Sequence, residues 1–224
     1  MRQIALDTET TGIGHEAGHR VIEIGCIELV NRKFTGNHFH VYLNPQREVD
    51  EGAFRVHGIS NHFLQDKPLF HDVVDDFVLF IDQAELIIHN AAFDIGFLNA
   101  EFARVQHAKR LENYCRVLDT LVLARKKHAG QRNSLDALCK RYHVDNSNRQ
   151  LHGALLDAEI LAFVYLAMTG GQADLFAEQD ANALESKHQQ KQFTELLSSI
   201  SPVHFATTDE LQRHDEFMSL ITEK

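Results

Sequence analysis

The chain has 224 residues, 44% of them hydrophobic and 24% charged, enough for one packed domain of ~150–200 residues with a small appendage and too apolar for general disorder. No apolar run reaches the ~18 residues of a membrane helix, the opening MRQIALDTET lacks the pattern of a secretory signal, and the three dispersed cysteines Cys26, Cys115 and Cys139 argue against a disulfide framework or a cysteine zinc site and fit a reducing cytoplasm. The net charge of −10, taken by itself, argues against a nucleic-acid partner, because phosphate binding favours a basic surface.

In chain order, residues 3–7 read as a strand. Residues 21–30 and 39–43 read as two more, β-branched and joined by an Asn31-Arg32-Lys33 turn. Residues 70–82 have helical spacing, 86–88 form a short apolar strand, and 93–105 form a helix with Phe97, Leu98 and Phe102 on one stripe. Residues 117–118 fit a short fifth strand, and helices over 134–142 and 154–168 complete the pattern. Three early strands followed by strands mixed with helices predict an α/β layer fold with a mixed sheet. Gly170-Gly171 ends the apolar pattern, and a Gln/Ala/Glu/Asp-rich stretch follows to Gln192. This predicts a domain over 1–171 and a flexible linker and tail over 172–224, with short amphipathic helices near 193–200 and 209–221.

Acids recur at element ends. Asp7 and Glu9, two apart on a strand, share a face opposite Ile4 and Leu6. Two such carboxylates repel unless a cation or proton sits between them, although a lone D-x-E also reads as a strand ending at solvent. Thr10-Thr11-Gly12 then forms a tight turn whose backbone can approach a ligand. Asp94 lies on the apolar stripe of its helix, three and four residues before Phe97 and Leu98. An unpaired charge is costly there, unless the backbone and helix dipole satisfy it. Asp157 repeats the pattern ahead of Ile160 and Leu161, with His152 just before the helix. Hard oxygen donors without cysteine suit Mg2+ or Mn2+. Two such ions can clamp the attacking and leaving oxygens of a phosphoryl displacement, and His152 can take the proton from water.

The pattern Asp7-x-Glu9, Asp94 and His152-x4-Asp157 resembles the DEDDh class of 3′→5′ exonucleases. So do LDTETTG (6–12), RVIEIG (20–25), VHGIS (56–60), IHNAAFDIGFL (88–98), RNSLDALCKRY (132–142) and LHGALLDAEILA (151–162), in family order across most of 1–171. Within that class the similarity is to the DnaQ-type proofreading epsilon family of bacterial DNA polymerase III. The resemblance implies a ribonuclease H-like fold, a mixed five-stranded sheet flanked by helices. It also implies that Asp7, Glu9, Asp94 and Asp157 bind two Mg2+ or Mn2+, and that His152 is the general base. The terminal nucleotide would be held by Asp7, Glu9, Thr10, Thr11, Gly12, Val56, His57, Phe93 and Asp157. Asp50-Glu51-Gly52 departs from the family's usual acid placement. The expected substrate is a single-stranded or frayed DNA 3′ end, shortened by one nucleoside monophosphate per turnover. The acids alone fit an RNA-trimming relative of the oligoribonuclease or RNase T kind equally well.

The tail favours DNA. Gln172-Ala173-Asp174-Leu175-Phe176 is similar to the pentapeptide that binds the bacterial sliding clamp, with Gln172, Asp174, Leu175 and Phe176 as contacts. Residues 203–221 resemble the family's segment that docks on the polymerase alpha subunit. A small theta-like third subunit is left open, and a role mainly as a bridge between clamp and polymerase is a further reading. The net charge then divides: −4 over residues 1–171, −6 over 172–224, and +7 within 102–150. The last of these is a candidate guide for the strand's phosphates, or a solvated mixed face.

Overall fold

The computed structural model describes residues 1–107, 109–147 and 151–170, all within the first of the chain's two units, Met1–Gly171. The clamp-like pentapeptide, the two tail helices and the polymerase-docking segment expected from the sequence lie outside the described residues.

Five strands form one sheet: β1 (Arg2–Thr10), β2 (Val21–Val30), β3 (Lys33–Tyr42), β4 (Glu85–Ile88) and β5 (Arg116–Asp119), in the order β3-β2-β1-β4-β5. β1 and β2, and β2 and β3, are antiparallel. β4 and β5 continue parallel to β1. The sheet is therefore mixed and five-stranded, as the sequence predicts. Its central strands are covered on both faces, which is why β2 and β4 read as nearly continuous apolar runs.

The helices are α1 (Glu51–His57), α2 (Asn61–Leu64), α3 (Phe70–Ile81), α4 (Ala91–Arg104), α5 (Thr120–Lys127), α6 (Leu135–Tyr142) and α7 (Ala154–Thr169). α3 and α4 bury Phe77, Phe97 and Phe102 against Ile4, Leu6, Cys26 and Ile88 on one sheet face. α7 crosses the other face, where Gln3 Nε2 donates to Tyr165 Oη at 2.7 Å. α7 also packs on α5 and α6 through Ile160, Val164, Ala124 and Leu138. A helix buried between a sheet and other helices is apolar nearly all round, as its sequence is.

Several bounds move. β1 runs past residue 7 to Thr10, so Glu9 lies inside the strand. β3 begins at Lys33, because Asn31 and Arg32, at φ 50° and 66°, close a two-residue hairpin of the type that matches strand twist. The strained Arg32 is held by α7: its guanidinium donates to Leu166 O at 2.9 Å and Thr169 Oγ1 at 2.8 Å. Helices α1, α2 and α5 are not expected from the sequence. At seven, four and eight residues they are too short for an apolar period to stand out.

A buried strut fixes the start of β2. Arg20 donates from Nε and Nη2 to both oxygens of Glu101 on α4, at 2.6 and 2.7 Å, and from Nη1 to Pro45 O. Its backbone exchanges two bonds with Thr11: Thr11 N–H to Arg20 O at 2.9 Å, and Arg20 N–H to Thr11 Oγ1 at 3.0 Å. The turn after β1 is thus tied to α4.

Candidate active site

Strand alternation sorts the residues of β1. Ile4, Leu6 and Thr8 face α3 and α4, while Gln3, Asp7 and Glu9 face α7. Asp7 and Glu9 therefore share a face, as predicted. Asp7 stands opposite Gly25 of β2 in the ladder, and Glu9 opposite Glu23.

Gly25 decides where α7 begins. A Cβ placed on it would lie 2.3 Å from both Ala154 C and Leu155 N. The first turn of α7 rests on bare backbone beside Asp7, which no larger residue permits. That contact delivers Asp157, 2% exposed, and His152. Ligand atoms of Glu9, His152 and Asp157 all lie within 4.8 Å of one another, and His152 Nδ1 is 3.2 Å from Asp157 Oδ2. Among the described residues this is the one such group of histidine, cysteine and acidic side chains. His152 is also fixed through its backbone, whose N–H donates to Val56 O of α1 at 3.1 Å.

Asp94 arrives from the other face. It sits in the first turn of α4 and accepts from Thr8 Oγ1 at 2.7 Å. Asp7 and Asp94 are not part of the mutually close group. The alternative that Asp94 is satisfied at its helix start holds in part, through Thr8 rather than through the dipole alone. Burial nevertheless pushes its carboxyl up to about 7, against the Thr8 hydroxyl and nearby backbone bonds, with the charge of Asp119 adding to the rise. Glu159, two residues beyond Asp157, is buried with Oε1 lacking a hydrogen-bond partner, and burial raises it to about 7 as well.

These two shifts give a pH dependence. Unfolded, both carboxyls ionise near pH ~4. Folded, they retain protons up to about 7, so the folded chain binds more protons between those values and loses stability as pH rises through 7. Buried His57 and half-buried His89, whose pKa values are lowered mainly by desolvation, act in the opposite sense only below ~6.5. Between pH 6.5 and 8, thermal unfolding in chelator should therefore show a falling midpoint. Asp94→Asn should flatten that slope, and an equal slope in the variant would exclude Asp94 as a source.

The turn after β1 is packed rather than open. A Cβ on Gly12 would lie 2.4 Å from His19 Cε1 and 2.9 Å from Asp50 Oδ2. Thr10 Oγ1 donates to Gly12 O at 2.9 Å, and Thr11 Oγ1 is 3.1 Å from His19 Nδ1. Asp50 N–H donates to Thr11 O. Of the two acids near the shifted segment, Asp50 approaches this turn, whereas Glu51 pairs with Arg55 at 3.1 Å on the exposed side of α1. His57 is buried, with Nδ1 accepting from Ile59 N–H at 3.0 Å, while Val56 is exposed. Phe93 packs on Phe97, ring centroids 4.8 Å apart.

Four site residues escape the sequence reading. Thr8 is legible from strand period alone, since it must face away from Asp7 and Glu9. Glu23, 2% exposed and held by His40 Nε2 at 2.8 Å, needs the strand register. Gly25 needs the position of α7. Asp119 caps α5 and is hidden by the expected strand ending at 118. Of the basic stretch, Arg141 is engaged by Asn133 and the Arg132 carbonyl, and Arg104 lies 3.7 Å from Glu101. Arg125, Lys126 and Lys127 are exposed at the end of α5, where a helix terminus favours positive charge in any case.

Comparison with known proteins fits this arrangement. A sequence model described as Exonuclease matches residues 4–165. The chain is similar to the DNA polymerase III subunit epsilon of Escherichia coli K12, 52% identical with 100% of this chain and 94% of the relative covered. The subunit of the same name from Rickettsia felis is 49% identical over 99% and 97%. Among solved structures, Exonuclease X in complex with 5′ overhanging duplex DNA has a TM-score of 0.58 at 25% identity, covering 76% of this chain and 92% of that one. An E. coli ExoI–ssDNA complex has a TM-score of 0.65 at 19% identity, over 76% and 41%, a likeness of fold. The mixed sheet with its flanking helices is accordingly the ribonuclease H-like fold of such nucleases, and the chain belongs to the exonuclease family, in its DNA polymerase III epsilon branch.

Proposed function

We propose that this 3′→5′ proofreading exonuclease holds two divalent ions, Mg2+ or Mn2+, on Asp7, Glu9, Asp94 and Asp157, with His152 as the general base. The observation that carries the reading is the group of Glu9, His152 and Asp157, whose ligand atoms lie within 4.8 Å of one another. All four acids offer hard oxygen donors, the donor class these ions take, and Asp94 and Asp157 are 3% and 2% exposed, where carboxylate charge calls for a cation.

When bound, the ions neutralise charge on the phosphodiester and on its departing 3′ oxygen. The chain's own groups do the rest. Asp157 Oδ2 lies 3.2 Å from His152 Nδ1, placed to accept a hydrogen bond from that nitrogen's N–H and leave Nε2 as the acceptor for a proton of the attacking water. Thr10, Thr11, Gly12, Val56, His57 and Phe93 hold the terminal nucleotide, with the strut Arg20–Glu101 keeping the turn in place. Cleavage releases one nucleoside monophosphate. A mispaired end unstacks at lower cost than a paired one, so it reaches the site more often without any base-specific contact.

The substrate is a single-stranded or frayed DNA 3′ end. Residues 172–176 bind the sliding clamp and residues 203–221 dock on the polymerase alpha subunit, in the bacterial cytoplasm. No helix among the described residues is long and apolar enough to cross a membrane. The purified protein with Mg2+ or Mn2+ should release monophosphates from single-stranded and mispaired DNA 3′ ends faster than from paired ones. Ends left intact would overturn the reading, and a strong preference for matched RNA oligomers would replace its substrate.

A further inference from the structure

The junction between β4 and α4 carries more of the site than its own residues explain. Only Asn90 and its neighbour His89 connect Ile88, the last residue of β4, to Ala91, the first of α4. The sharp entry puts Asn90 in the left-handed region at φ 66°, and it provides no side-chain cap for α4. The first turn of a helix has four N–H groups without intrahelical partners. In α4 that turn holds both Phe93 and Asp94.

The missing cap comes from β5. Asp119 stands opposite Ile88 in the parallel ladder, which places its carboxylate over the entry to α4. Oδ2 accepts from Ala91 N–H at 3.1 Å and Oδ1 from Asn90 N–H at 3.3 Å. The same Oδ1 accepts from Leu121 and Val122 N–H at 2.8 and 3.2 Å. One carboxylate thus caps two helices. The next residue continues the brace: Thr120, fully buried, donates from Oγ1 to Ile88 O at 3.2 Å and is 2.9 Å from His89 Nδ1. From the opposite side, Thr8 holds Asp94 itself.

We infer that Asp119 is a positioning residue of the active site, which together with Thr120 fixes the first turn of α4 and so sets where Asp94 and Phe93 stand. This rests on the assignment of Asp94 as a metal ligand. An α5 cap of purely local importance would need only Oδ1. The bond from Oδ2 to Ala91 serves α4 alone.

Asp119→Asn separates the two roles. The amide keeps one oxygen for α5 and turns a donor toward the Ala91 N–H. Backbone hydrogen exchange should accelerate about tenfold at residues 91–94, the scale of a lost cap, while Leu121 and Val122 keep their protection. Mn2+ titration of the protein without nucleic acid should show a dissociation constant raised severalfold, and turnover at saturating Mn2+ should fall. Exchange at 91–94 equal to that of the unaltered chain would overturn the inference. So would faster exchange with unchanged Mn2+ affinity and rate. Thr120→Val makes the same test on the other half of the brace, at nearly constant volume, should the Asp119 variant fold poorly. Asp94→Asn in parallel distinguishes the two levels: if it binds Mn2+ normally, the ligand assignment fails, whatever Asp119 does to the exchange.

Discussion

His152→Ala should lower the turnover rate by ~10²–10⁴-fold at saturating Mg2+ or Mn2+, the usual share of a general base, and leave the fold intact. The side chain is 44% exposed and its removal opens no cavity in the core. Its backbone bond to Val56 O survives the substitution. The geometry allows a second role, since His152 belongs to the same close group as Glu9 and Asp157. A ligand and a base lose different things. If His152 were a ligand, alanine would weaken Mn2+ binding and excess metal would restore much of the rate. If it is the base, Mn2+ affinity is kept, excess metal does not help, and added imidazole recovers part of the activity. A loss under tenfold at saturating metal would remove the base assignment.

Gly25→Ala is the second large effect. The added methyl would meet backbone atoms of Ala154 and Leu155 at 2.3 Å. Backbone in the first turn of a buried helix has no rotamer to change, so α7 must lift or β2 must bend. Overpacking of this kind costs about 3 kcal/mol. The displaced turn carries Asp157 and follows His152, and Gly25 faces Asp7 across the ladder. A shift of ~1 Å in such groups is worth ~10²-fold in rate. Activity should therefore fall even under conditions where the variant remains folded. Gly52→Ala is the matched control. It lies in α1 with nothing within 4 Å of its added Cβ, and alanine should be neutral or stabilising there by up to ~1 kcal/mol. Gly25→Ala with full activity and an unchanged melting temperature would show that α7 is not set by this contact.

The two predictions share a cause. Asp7 and Glu9 are placed by β1, Asp94 by α4, and Asp157 and His152 by α7. The arrangement relies on three separate devices: a missing side chain at Gly25, a strut from Arg20 to Glu101, and a carboxylate at Asp119 that serves two helices. None is itself a member of the acid–histidine set.

How much of this the chain discloses without its structure depends on the range of the interaction. The shared face of Asp7 and Glu9 follows from the two-residue period of a strand. The placing of Asp94 and Asp157 on core-facing stripes follows from the helical period. Those relations are fixed by covalent geometry within one element, and the expected strands and the longer helices were legible for the same reason. The family pattern singles out the four acids and His152 as a set, the set on which the proposed function rests.

The tertiary structure alone decided the rest. Asp94 meets Thr8 instead of joining the close group of Glu9, His152 and Asp157, because it comes from the α3–α4 side of the sheet. Asp50 turns toward Gly12 while Glu51 turns toward Arg55, a choice made by the seven-residue α1. Gly25 matters because α7 lands on it, and Asp119 because β5 runs parallel beside β4. Local period says which face a side chain takes. Strand order and register say what stands on that face, and they arise from contacts between residues far apart in the chain, which spacing does not encode.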